Sequence, residues 1–167
     1  MTSRSEMRGN MEKDRCYFAS PIGMLCIEAD KEAVTKLDLQ ENGKQLSDCK
    51  SPVLQKAVRE LSEYFAGKRK VFTVPVKPQG TDFQKRVWKA LAEIPYGETR
   101  TYGQIAAATG NPGACRAVGG ANNKNPILIL IPCHRVIGAD GSLTGFGAGL
   151  PVKERLLKLE GIKYETV

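Results

Sequence analysis

The chain has 167 residues, 41% of them hydrophobic, and 25 Lys plus Arg against 18 Asp plus Glu, a formal net charge of +7. That length allows one compact body or two small units packed together, and no stretch approaches the roughly 20 apolar residues of a membrane span. The first residues, with Arg4, Glu6, Arg8 and Glu12, lack the apolar core of a signal peptide, so the expectation is a soluble intracellular protein, cytoplasmic or, in a eukaryote, nuclear.

The basic balance favours a polyanionic partner such as nucleic acid, but charge alone fits a merely solvated basic surface equally well. Five cysteines, Cys16, Cys26, Cys49, Cys115 and Cys133, are odd in number, scattered and never in a C-x-x-C pair. This argues against a disulfide framework and for reduced thiols. The single histidine, His134, adjoins Cys133, and no carboxylate cluster has metal-ligand spacing, so neither metal nor cofactor is expected.

In chain order, residues 1 to 14 are polar and without period, and read as a disordered tail. Three short strands follow at Cys16 to Ala19, Met24 to Ala29 and Val34 to Leu39, the first two joined by a Ser20-Pro21-Ile22-Gly23 turn, as in a small antiparallel meander. Ser51 and Pro52 open a helix whose face is Leu54, Val58, Leu61 and Phe65, and Gly67 stops it. The segment from Val71 to Gly80, with Pro75 and Pro78, resists helix and interior strand, which divides the chain into domains at 15 to 77 and 78 to 167.

The second half opens on a capping box, Thr81-Asp82-Phe83-Gln84, whose helix places Phe83, Val87, Leu91 and Ile94 on one face until Pro95, with Trp88 in the same core. Thr101 caps a short helix from Tyr102 to Thr109, and Asn111-Pro112 opens another from Gly113 to about Asn122. Two short helices around a Gly-Asn-Pro break have the pattern of a helix-turn-helix. The second is almost all small residues around Arg116, as suits a close backbone approach to another surface or tight helix packing. The apolar run Ile127 to Ile131 reads as a strand buried on both sides, delivering Pro132-Cys133-His134-Arg135-Val136 out of the core. A glycine-rich loop from Gly138 to Gly149 follows. Pro151 starts a last helix with Leu156, Leu157 and Leu159, which ends near Glu160 and Gly161.

A free cysteine is only about a few per cent thiolate at neutral pH, so a working nucleophile needs a base or a cation nearby. His134 is that helper for Cys133, and Glu160 can orient its imidazole, giving a Cys/His/Glu relay around an activated thiolate. Such a relay fits acyl transfer by a thiol hydrolase or displacement by sulfur on a saturated carbon. A thioester turns over, whereas a thioether consumes the protein.

Ile-Pro-Cys-His-Arg-Val at 131 to 136, Asn125-Pro126 and Arg-Ala-Val-Gly-Gly-Ala at 116 to 121 together resemble the signature of the O6-alkylguanine-DNA alkyltransferases. The resemblance extends to Tyr102, the Gly110-Asn111-Pro112 turn and Leu156 to Glu160, and more loosely to Ser20-Pro21-Ile22-Gly23. It implies an α/β protein in which a ribonuclease-H-like module, a small antiparallel sheet with a helix, precedes a mostly helical domain containing the helix-turn-helix. It further implies that Cys133 accepts an alkyl group from O6-alkylguanine in double-stranded DNA, with O4-alkylthymine as a further candidate, in one irreversible turnover.

By the same resemblance His134 is the base acting through a water, Glu160 orients it, Asn125 braces the turn, and Tyr102 helps rotate the nucleotide and donates a proton to the leaving guanine. Arg116 fills the vacated stack, and Ala114, Ala117, Gly119, Gly120 and Arg135 complete the DNA-binding surface. Phe146, Gly147, Ala148 and Tyr102 line the pocket. Gly147 stands where the family often has serine and Phe146 where tyrosine is common, which points to a roomier pocket tolerant of bulkier O6 substituents. Some members hold zinc in the N-terminal module, but with no histidine there this chain is not expected to. A monomer without membrane contacts is the default. The rival readings are a binding protein that recognises alkylated DNA without repairing it, against which Cys133 counts, and a cysteine hydrolase.

Overall fold

In the computed structural model, which describes residues 14–40, 49–143 and 146–164, the first elements are the three short strands expected on either side of the Ser20–Gly23 turn. Strands β1 (Asp14–Ser20), β2 (Gly23–Ala29) and β3 (Val34–Leu39) form an antiparallel sheet in the order β1-β2-β3. Ser20 pairs with Gly23 across the two-residue turn, which Gly23 closes at φ +126°, and the Ser20 hydroxyl donates to the Gly23 carbonyl at 2.6 Å. Such a φ favours glycine, because a Cβ there clashes with the backbone.

Cys16, Leu25, Ile27, Ala29 and Leu37 are buried, and helix α1 (Pro52–Phe65) packs against all three strands. Ser51 caps α1 by accepting from the Leu54 N–H at 3.0 Å, and Gly67 follows its end at φ +75°. The buried face is Leu54, Ala57, Leu61 and Tyr64, rotated from the expected one. Val58 and Phe65 are half-buried, because Tyr64 takes the core position and meets the Phe72 ring at 5.3 Å. Glu60 shares that face, the cost of its burial offset by the Thr73 and Val74 N–H groups, from which it accepts at 2.8 and 3.0 Å. Val76 then pairs in parallel with Val34 at the sheet's edge.

Cys16 and Cys49 form a disulfide, which overturns the expectation of reduced thiols throughout. The chain leading into α1 returns beside β1 and brings their Cα atoms to 5.3 Å, a proximity that spacing along the sequence does not reveal. The tail expected at residues 1 to 14 lies, except for Asp14, outside the described residues.

The chain divides into two compact units, one ending at Pro78 and the other beginning at Gln79. In the second, α2 (Asp82–Ala92) carries the expected capping box and buries Val87, Trp88 and Leu91. The Trp88 indole N–H donates to the Ala121 carbonyl at 2.9 Å. Strand β4 (Arg100–Thr101) leads into α3 (Tyr102–Ala108), whose N-terminus Thr101 and Gln104 close with a second capping box. Helix α4 (Cys115–Asn123) packs against α2 and α3. It starts two residues later than Asn111-Pro112 suggests, behind Ala114 and without a side-chain cap, because Asn111 instead closes a turn whose carbonyl accepts from the Ala114 N–H at 3.0 Å.

Ile127 to Ile131 is not a strand. All five side chains are buried, but the backbone folds into a compact turn, Ile131 N–H donating to the Ile127 carbonyl at 3.1 Å with Ile129 at φ +68°. Burial on every side gives an apolar run whether the chain is extended or coiled. A 3-10 turn (Cys133–Arg135) follows, then β5 (Val136–Ile137), parallel to β4, and finally α5 (Leu150–Leu159) with Glu160 as its C-cap.

Candidate active site

Cys133 sits at the start of the 3-10 turn, 1% exposed, between two braced carbonyls. On its N-terminal side, Asn125 donates from Nδ2 to the Ile131 carbonyl at 2.7 Å and accepts from the Ile127 N–H at 2.9 Å, so one carboxamide closes the whole apolar turn. On its other side, Asn122 of α4 donates from Nδ2 to the Cys133 carbonyl at 3.4 Å.

His134 is fully buried, with Nε2 2.7 Å from Glu160 Oε2. Glu160 also accepts from the Arg135 guanidinium, Nε to Oε1 at 2.8 Å and Nη2 to Oε2 at 3.0 Å, and from the Gly97 N–H at 3.1 Å. An ionised carboxylate held this way is acceptor-only, so Nε2 of His134 carries the hydrogen and Nδ1 is left as a lone-pair acceptor. Nδ1 makes no hydrogen bond among the described residues. Burial, opposed by Glu160, lowers the imidazole's pKa and keeps it neutral, in the form that accepts a proton.

The thiol departs from expectation. Burial pushes Cys133 up to about 11, with Asn125 and the nearby Lys153 pulling it only part of the way back. At rest Cys133 is therefore a protonated thiol rather than a standing thiolate, and a proton acceptor must act when substrate arrives. Lys153 lies on the inner face of α5, 0% exposed, donating to the Val136 carbonyl at 2.6 Å, and burial lowers it to about 8.

Sequence reading missed Lys153, Asn122 and the Gly97 N–H. The signal for Lys153 was its spacing, three residues before Leu156 and so on the buried stripe of α5. Asn122 and Gly97 carry no comparable signal.

Arg135, expected on the DNA-binding surface, is buried. Besides its fork on Glu160 it donates from Nη1 to the Ile94 carbonyl at 2.8 Å, and 5% exposure leaves it nothing to offer a phosphate. Its place is behind His134. The other expected surface residues lie on α4 and its approach: Arg116, Ala117 and Gly120 are exposed and Ala114 and Gly119 half-buried, while Val118, Ala121 and Asn122 face the core. Tyr102, half-buried at the start of α3, packs its ring beside α4, 3.9 Å from where a Cβ on Gly119 would stand.

Of the expected pocket, Phe146 is buried with its ring centroid 5.9 Å from Lys153 Nζ, Gly147 is exposed and Ala148 half-buried. Thr144 and Gly145 lie outside the described residues. Gly147 does not open space, because a Cβ there would stand 2.7 Å from the Asn123 carbonyl oxygen. Glycine is required by a close approach of two backbones, which corrects the reading of a roomier wall. Among the described residues no group of three or more His, Cys, Asp or Glu side chains could hold a metal ion, and no helix is long and apolar enough to cross a membrane.

Fold and site together define a helix-turn-helix protein that carries a buried cysteine backed by a His-Glu pair. Two family models cover it: residues 15–78 match the ribonuclease-like domain, and residues 82–162 the DNA binding domain, of 6-O-methylguanine DNA methyltransferase. A methylated-DNA-protein-cysteine methyltransferase of Methanosarcina acetivorans is 54% identical over 149 residues, 86% of this chain and 96% of that protein, and one of Haemophilus influenzae is 47% identical over 154 residues, 89% and 86%. Among solved structures, the Mycobacterium tuberculosis O6-methylguanine methyltransferase superposes with a TM-score of 0.80 at 47% identity, covering 89% of this chain and 92% of that one. The Mycobacterium tuberculosis OGT in complex with DNA gives 0.79 at 50% identity, covering 86% and 90%. The chain belongs to the 6-O-methylguanine DNA methyltransferase family.

Proposed function

We propose that this protein repairs double-stranded DNA by direct reversal, moving the alkyl group of O6-alkylguanine to Cys133 in a single turnover. One observation carries the reading: beside a buried thiol, His134 has Nε2 fixed on Glu160 and Nδ1 left as an acceptor. In the substrate complex Nδ1 takes the thiol proton through a water. The sulfur then attacks the alkyl carbon, the S–C bond forms and the C–O6 bond breaks. Its electron pair returns to the base, which Tyr102 protonates. The thioether product has no leaving group, so the protein is consumed.

The base must leave the stack to reach a residue this buried, at a cost of about a few kcal/mol. Arg116, exposed on a helix face of small residues, fills the space and offsets part of that cost. The domains at 15 to 77 and 78 to 167 act as one monomeric protein, in the cytoplasm or nucleus where DNA is. Intact mass after incubation with a duplex containing O6-methylguanine tests this. One methyl per protein, located on Cys133 and absent from a Cys133→Ala variant that still binds the duplex, is expected. An unmodified protein would overturn it.

A further inference from the structure

Among the described residues, two buried side-chain polar atoms make no hydrogen bond: His134 Nδ1, whose use is proposed above, and Asn122 Oδ1. A buried acceptor without a partner destabilises a fold, and a leucine, branched at Cγ like an asparagine though larger, would carry no such acceptor. Asn122 is 1% exposed, away from bulk solvent. Its carboxamide orientation is fixed by its other half, because the Cys133 carbonyl can accept only from Nδ2. What the residue supplies is therefore the donor on Cys133.

That carbonyl also accepts from the Val136 N–H, the bond that closes the 3-10 turn. Two donors on one oxygen fix the peptide that follows Cys133. Asn125 fixes the Ile131 carbonyl before it, and the Cys133 N–H donates to that same carbonyl at 2.8 Å. The Cα–Cβ bond of Cys133 is thereby held from both sides. In-line displacement by sulfur is sensitive to such placement, where about 1 Å of error costs on the order of 100-fold. The holding donor comes from α4, the helix that also carries Arg116, and α4 is itself fixed by the Trp88 bond to Ala121.

We infer that Asn122 is a positioning residue for alkyl transfer, kept at the expense of stability to hold the Cys133 peptide and aim the sulfur. The inference rests on the proposed function. Its test is single-turnover methyl transfer from an O6-methylguanine duplex at increasing DNA concentration, with thermal unfolding, for the parent, Asn122→Leu and Asn122→Asp. Asn122→Leu is expected to unfold no lower than the parent and to reach half-maximal rate at the same DNA concentration within about twofold, while its rate at saturation falls at least tenfold. Asn122→Asp, which keeps the shape but sets a carboxylate against the Cys133 carbonyl in place of the donor, is expected to lose rate as well and to move the pH-rate midpoint upward.

A merely structural asparagine predicts the reverse for Asn122→Leu, a lower unfolding temperature and an unchanged saturating rate, and that result would overturn the inference. So would a loss confined to the DNA concentration needed, which would put Asn122 on the DNA-binding face. A parent that takes no methyl overturns the proposed function and this inference with it. An active parent matched in rate by Asn122→Leu overturns this inference alone.

Discussion

Arg135 and Glu160 are joined by two parallel N–H···O bonds, at 2.8 and 3.0 Å, with both residues buried. The guanidinium keeps Glu160 ionised in the core and, by its charge, helps burial hold His134 neutral. Arg135→Met removes one partner and leaves a buried carboxylate facing an imidazole, which should cost about 3–5 kcal/mol of stability in urea unfolding. The titration of His134 should move upward. As the chain has one histidine, its imidazole resonances report this without ambiguity. A His134 midpoint that stays put would sink the account of Arg135 as its electrostatic partner.

The buried thiol is protected at rest. With Cys133 pushed up to about 11, the thiolate fraction at pH 7.5 is roughly 0.03%. Iodoacetamide should therefore modify the exposed Cys115 well before Cys133. Labelling of Cys133, followed by peptide mass, should keep rising by about tenfold per pH unit to near pH 11. A plateau near pH 8.5 would show instead a thiolate already formed in the free protein.

The parts of this site legible in sequence are those fixed by local rules. A capped helix ends where its glycine stands, so Glu160 could be placed at the end of α5, and Cys133-His134 are neighbours by covalent bond. Arg135 and Lys153 were misjudged or missed because charged residues are usually exposed and their partners here, Glu160 and the Val136 carbonyl, lie 25 and 17 residues away. The run Ile127 to Ile131 hid its shape for another reason. The Asn125 side chain bonds to both of its ends and so replaces the neighbouring strand that an extended segment would need.

The Cys16–Cys49 bond spans a sequence separation of 33, and loop closure of that length corresponds to about 4 kcal/mol. Cys49 is half-buried, so reductant can reach it. Reduction should add two hydrogens to the intact mass and lower the stability of the first unit by about 2–4 kcal/mol in urea unfolding. Methyl transfer to Cys133 should survive. An equal count of free thiols in denatured protein with and without reductant would refute the bond.

Gly147 and Gly120 make a contrasting pair. A Cβ at Gly147 would strike the Asn123 carbonyl at 2.7 Å, whereas one at Gly120 meets nothing within 4 Å. Gly147→Ser should therefore force the loop off α4 and cost about 1–3 kcal/mol, slowing methyl as well as benzyl transfer. Gly120→Ser should leave thermal stability within about 0.5 kcal/mol of the parent and weaken only binding to DNA. If Gly147→Ser unfolds at the parent's temperature, the close approach is not what requires glycine there.

Lys153 and Cys133 act on each other through their charges and titrate in opposite directions, and stability should register both. Lys153 falls from 10.5 to about 8 on folding, so between those values the unfolded chain holds a proton that the folded one has released, and stability rises with pH. The shift corresponds to about 3 kcal/mol, fully gained above 10.5 and lost as pH falls through 8. Cys133 is raised from 9.0 to about 11, so its contribution is complete below 9 and lost as pH rises through 11. The parent should thus gain stability from pH 8 to 9, level off, and fall toward pH 11. In Lys153→Met the rise should vanish and only the alkaline fall remain. Without the ammonium that draws the thiol down, that variant should also transfer methyl more slowly below pH 8, where Lys153 is charged in the parent. Urea unfolding at intervals from pH 7 to 11 checks the first point, and a parent curve with no rise above pH 8 would mean that Lys153 stays charged in the fold.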